Sequence, residues 1–127
     1  MKIRWTSGSV RFRISPTELE SLERGERVEA ELSLPGGGWQ ATLSPGAEAT
    51  DLSFARGDLL LCLSDADRTR LSAPDVEGVY FQTRGQTPLR YYIEKDFPCV
   101  HPGAPEAGET PTETFAPPPG FKERHHC

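Results

Sequence analysis

The sequence predicts an α+β domain, mostly antiparallel β, with about eight short strands and two short helices in two ββαββ repeats. The repeats are expected to form a barrel-like or two-layer structure with pseudo-twofold symmetry, an open single sheet with both helices on one side being the alternative. Three observations carry this reading. Apolar and polar residues alternate with period two over several short runs. Two serines each open a stretch with helix-start chemistry. A fixed offset of forty-nine residues relates the first half of the chain to the second. Added to Ile3, Trp5, Gly8, Val10, Phe12, Ile14, Ser15 and Leu22, it gives Leu52, Phe54, Gly57, Leu59, Leu61, Leu63, Ser64 and Leu71, and all eight pairs keep their chemical character.

Taken in order, the chain opens on a first strand with Ile3 and Trp5 on one side and Lys2 and Arg4 on the other, and "VRFRI" is a second in which Val10, Phe12 and Ile14 alternate with Arg11 and Arg13. Ser15 supplies an N-cap oxygen, Pro16 occupies the first helical position, and Glu18 stands three residues after the cap, a capping-box pattern. The helix runs through Leu22, and Gly25 ends it in a left-handed turn. "VEAELSL" alternates again, with Val28, Ala30, Leu32 and Leu34 on one face; "PGGG" reads as a hairpin loop, and "WQATL" returns with Trp39, Ala41 and Leu43 inward. The second half repeats the plan. "TDLSF" turns at "ARGD" into "LLLCLS", Ser64 caps a helix with Asp65 and Asp67 in its first turn, and Pro74 closes it. "GVYFQT" and "LRYYIE" form a last hairpin with Leu89, Tyr91 and Ile93 buried, while the unbroken apolar run "LLLCL" belongs near the centre of a sheet or under the tail.

Residues 1–97 are expected to form one β-rich domain of two repeats, 1–48 and 50–96, and residues 98–127 an extended tail. That tail carries seven of the twelve prolines and little periodicity, with Phe115 and Phe121 placed to pin it to the domain. The chain has 127 residues, enough for a single modest core. A net charge of -5 argues against nucleic acid or an anionic membrane as partner, since both call for a basic footprint. No segment has the length of apolar run that a signal peptide or membrane helix needs, and Cys62, Cys99 and Cys127 lack the density of a disulfide scaffold, so the expected location is cytoplasmic.

Two groups of residues have the chemistry of a site. In the tail, Cys99, His101, His125, His126 and Cys127 offer thiolate and imidazole ligands suited to zinc, although their spacing matches no compact zinc motif. A buried Cys99 with a frayed terminus, or a Cys99 to Cys127 bridge, are the other readings. On the first two strands, Lys2, Arg4, Arg11 and Arg13 project to the side opposite Ile3, Trp5, Val10 and Phe12. Inside a barrel they would form an anion or polyphosphate site, with Glu29 and Glu31 able to hold a divalent ion; facing water they are ordinary surface charges. Glu94, Lys95 and Asp96 are a third, weaker group with acid–base capacity. No nucleophile elbow, phosphate loop or dinucleotide fingerprint is present.

The stretches "MKIR", "GSVRFRISPTELESL" and "YYIEKDFPCV" together resemble a family of small bacterial proteins of unknown function. Its members open with a Lys-Ile-Arg strand, continue through an Arg-rich second strand into a helix, and end with Glu-Lys-Asp-Phe, a cysteine and an acidic tail. "PGGGWQATL" and the terminal "HHC" depart from that pattern. The resemblance implies no particular activity, and draws attention to Cys99 and Cys127 as a pair. The expected function is a small cytoplasmic binding or interaction module, non-enzymatic, with metal binding through its tail and an unidentified protein partner. The alternative is an enzyme or binder acting on a phosphoanhydride or other polyanion inside a β-barrel. A purely structural partner, docking through a sheet edge or through "LLLCL", is a third reading.

Overall fold

A computed structural model of the protein describes residues 1–98 and 114–121. Its elements follow the order β1 (Lys2–Thr6), β2 (Ser9–Ile14), α1 (Pro16–Glu23), β3 (Val28–Leu34), β4 (Gly37–Ala47), β5 (Asp51–Ala55), β6 (Asp58–Ser64), α2 (Asp65–Ser72), β7 (Gly78–Gln82) and β8 (Arg90–Lys95). The eight strands make two four-stranded mixed sheets, ordered β1-β2-β8-β7 and β3-β4-β6-β5. They do not close into a barrel: β1 and β7 are the edges of the first sheet, β3 and β5 those of the second.

Each helix carries the chain from one sheet to the other, and this dictates the pairing. Hairpin β1–β2 therefore meets β7–β8 from the far end of the sequence, and the inner strands β2 and β8 run parallel, Val10 opposite Tyr91 and Phe12 opposite Ile93. In the second sheet the inner strands β4 and β6 are also parallel, Ala41 opposite Leu59 and Leu43 opposite Leu61. The four hairpin pairings are antiparallel.

Local chemistry explains the elements. At α1, Ser15 Oγ accepts from the Glu18 amide at 3.2 Å and Glu18 Oε1 accepts from the Ser15 amide at 2.9 Å, a complete capping box. At α2 the residue three after the cap is Asp67, whose side chain is one methylene shorter. The amide of Ser64 donates instead to Thr50 Oγ1 at 3.0 Å, and Thr50 Oγ1 in turn donates to Asp67 Oδ2, so that the threonine completes the bridge. Gly25, at φ +81°, ends α1 as expected.

The second hairpin, β3–β4, differs from the sequence reading. Its turn is only Pro35 and Gly36, and β4 already begins at Gly37. At its other end β4 runs on past Leu43 to Ala47 through a bulge at Pro45–Ala47, where Gly46 takes φ +88° and lets the strand continue beyond a proline.

Inward side chains of both sheets share one core, led by Phe12, Ile14, Leu22, Leu43, Leu61, Leu63, Leu71, Val79 and Ile93, all fully buried. The helices follow the C-terminal ends of β2 and β6, and Leu19, Leu22 and Leu71 plug that end of the two sheets. The two helices meet where Ser72 Oγ donates to Glu23 Oε1 at 3.0 Å. Residues 114–121 return to the same end: the Phe115 amide donates to the Asp96 carbonyl at 2.8 Å, and Phe97 touches both Phe115 and Phe121. No helix among the described residues is long and apolar enough to cross a membrane.

Candidate functional site

The strand alternation that builds the core continues unchanged to the opposite end, where no helix follows. There the inward residues are wet. Trp5 and Phe54 are each 66% exposed, Leu34 56% and Leu32 48%, whereas the next inward residues on the same strands, Ile3, Leu52 and Ala30, are half-buried. The sequence reading placed Leu32 and Leu34 on one face with Val28 and Ala30, and Leu89 in a buried set; all three line an open cleft, Leu89 half-buried there. Its cause is topological: both helical crossovers, α1 and α2, lie at the other end.

The cleft has a volume of about 540 Å³. Trp5 and Trp39 meet across the sheets with ring centroids 6.1 Å apart, and Leu32, Leu34, Phe54, Leu59 and Leu89 continue the lining. Thr6 and Ser9 are the polar residues of the wall, and their hydroxyls hydrogen-bond each other at 2.9 Å. Among the described residues the wall holds no titratable side chain. Such a surface offers dispersion, aromatic stacking and hydrophobic transfer to a guest, and gives an ion nothing to pair with.

The cations singled out in the sequence lie elsewhere. Lys2, Arg4, Arg11 and Arg13 occupy the outer face of the first sheet, with Ile3, Trp5, Val10 and Phe12 on the inner. The enclosed polyanion site inside a barrel is thereby corrected: no barrel closes around these side chains, because β1 is an edge strand and its outer face looks away from the core. Lys2 Nζ pairs with Asp96 at 2.8 Å, and Arg11 approaches Glu94 at 3.7 Å while lying 5.4 Å from the centre of the Tyr92 ring. Lys2 and Arg13 also border a polar hollow of about 250 Å³ with Ser15, Glu18 and Asp96. Glu29 and Glu31 stand on the outer face of edge strand β3, and no group of three metal-ligating side chains occurs among the described residues. Cys99, His101, His125, His126 and Cys127 fall outside the described residues. Cys62 is a free thiol, half-buried with Leu60 on the outer face of β6, so that strand is central but covered on one side alone.

Lys95 has a structural role. It points inward, 6% exposed, donates from Nζ to the Ala73 carbonyl at 2.8 Å at the end of α2, and lies 5.6 Å from the Phe115 ring centre. Burial pushes its pKa down, against an opposing pull from Asp75 and Glu23.

No curated protein and no solved structure matches this chain. A family model does: residues 1–116 match that of a family of unknown function (DUF7009). The match takes in every hairpin that walls the cleft, the cationic strands and the helical end, and the chain belongs to that family.

Proposed function

We propose that the protein is a non-enzymatic binding module whose site is the apolar cleft at the helix-free end, and that its ligand is a compact, neutral, largely hydrocarbon small molecule. The observation that carries this reading is the wall itself: two tryptophans, a phenylalanine and a set of leucines around about 540 Å³, with no charged side chain among them. That volume lies in the range of small-molecule pockets, and large apolar side chains left in water at this density are costly unless a guest covers them.

The reading includes a duplicated architecture. Four features support two related halves. The sheet orders β1-β2-β8-β7 and β5-β6-β4-β3 interconvert when each element of the first half is exchanged for its counterpart in the second. The parallel registers correspond, Val10 with Tyr91 against Leu59 with Ala41. Ser72 and Glu23, which bond each other between the helices, are themselves separated by forty-nine residues. The third strands correspond as Val28 with Val79, each facing the inner residue of its hairpin partner, Leu43 and Ile93. On this view the cleft is lined by matched pairs, Trp5 with Phe54 and Val10 with Leu59, one from each half.

The test is a titration with N-phenyl-1-naphthylamine, a neutral probe that brightens in apolar surroundings. One saturable site is expected, with energy transfer from Trp5 and Trp39, and it should be lost in a Leu34→Asp, Phe54→Asp variant whose circular dichroism is unchanged. Absence of saturation, or equal binding by that variant, would refute the reading.

A further inference from the structure

The outer faces of the two sheets carry opposite charge. On β1, β2 and β8 the outward residues include Lys2, Arg4, Arg11, Arg13 and Arg90 with a single carboxylate, Glu94, whereas the outer face of the second sheet carries Glu29, Glu31, Asp51 and Asp58 and no cation. The register sharpens this. Lys2 stands directly opposite Arg13, and Arg4 directly opposite Arg11, so two like-charged cross-strand pairs are stacked on one hairpin. Such pairs repel and weaken a hairpin. Asp96 relieves Lys2, and Glu94 with the Tyr92 ring relieves Arg11. Among the described residues no carboxylate forms an ion pair with Arg4 or Arg13.

We infer that this hairpin face is a binding site for a compact oligophosphate, a ligand with two or three linked phosphoryl groups. Neighbouring strands lie about 4.8 Å apart and alternate residues about 6.7 Å apart along a strand, so four cationic side chains rise from a patch of that size. Guanidinium forks match phosphate oxygens in pairs, and the ligand adds negative charge beside Arg4 and Arg13, with which neither Asp96 nor Glu94 is paired. A long single strand of nucleic acid fits less well. Its phosphate track would have to continue across the sheet, and Glu94, in register with Arg13 on the next strand, opposes it. The face is separate from the apolar cleft, which opens on the inner side of the same strands, and the inference stands without it.

The experiment is thermal unfolding of the full chain in sodium tripolyphosphate against sodium chloride at equal ionic strength. Tripolyphosphate at saturation should raise Tm by about 4 °C or more over chloride. An Arg4→Ser, Arg13→Ser variant should unfold in chloride no earlier than wild type, because repulsion is removed, and should lose the tripolyphosphate response. As a second variant, Glu94→Gln should bind tripolyphosphate about threefold more tightly by isothermal titration calorimetry. Equal Tm in the two salts, a response retained by the double variant, or a short oligothymidylate stabilising more than tripolyphosphate at equal phosphate concentration would overturn the assignment.

Discussion

The two ends of the sandwich are written in the same pattern and end in opposite states. Along β2, β4 and β6, and along β8 as far as Ile93, the inward residues are apolar, yet toward the helices Ile14, Leu43, Leu63 and Ile93 are fully buried, while on the edge strands at the far end Trp5, Leu34 and Phe54 stand more than half exposed. Alternation determines which face a side chain takes; it says nothing about what covers the end of the sheet. Here the covering is done by α1 and α2, and both follow strands that finish at the same end. The difference turns one end into a core and leaves the other as a cleft.

Substitution of core leucines should show this contrast most strongly. Leu63→Ala at the capped end is expected to cost about 2–5 kcal/mol in urea unfolding, from lost transfer energy and the cavity left behind. Leu34→Ala at the open end should cost less than about 1 kcal/mol, since that side chain is already half in water. Comparable losses at the two sites would break the comparison.

Lys95 is, like Asp96, a charged side chain buried at the capped end, and its replacement sharpens the picture. Lys95→Ala leaves the Ala73 carbonyl without its donor and should cost about 1–3 kcal/mol. The pH dependence has a definite sign. Because burial lowers the pKa of Lys95 in the folded protein, the unfolded chain binds more protons as pH climbs from the folded value toward the ordinary lysine range, so this group's contribution to stability rises with pH across that window. Tyr91 works the other way, since burial raises its pKa and its contribution is lost above the ordinary tyrosine value. A Lys95→Met variant keeps Tyr91, so wild type should gain stability relative to it between neutral and alkaline pH.

The helix starts give the next smaller effect. Ser15→Ala and Ser64→Ala should each cost about 1 kcal/mol. Thr50→Val should weaken α2 and leave α1 untouched, because Thr50 completes the bridge at the second helix alone. The smallest effect is expected for Trp5→Leu, which should shift unfolding by less than about 0.5 kcal/mol while weakening the neutral probe.

Much of the fold was legible in the residues. Period-two alternation located the strands, Ser15 with Glu18 and Ser64 with Asp67 located both helix starts, and Gly25 located a stop. Pairing was not legible, because "VRFRI" carries nothing to show that its inner neighbour is β8, some eighty residues away. The extra length of β4 was hidden by Pro45, whose effect on pairing the bulge at Gly46 absorbs. The cleft was hidden for a related reason: Leu32 and Leu34 alternate as a core strand does, and their exposure follows from where the chain crosses between sheets. A signal was present in the large apolar residues beside hairpin turns, Trp5, Leu34, Trp39 and Phe54, where short loops leave little to bury them.

Methyl-detected NMR during titration with N-phenyl-1-naphthylamine tests the division between the ends most directly. Saturable shifts of the Leu32, Leu34, Leu59 and Leu89 methyls, with those of Ile14, Leu63 and Leu71 unmoved, are the predicted result. Shifts centred on the helical end, or none that saturate, would contradict it.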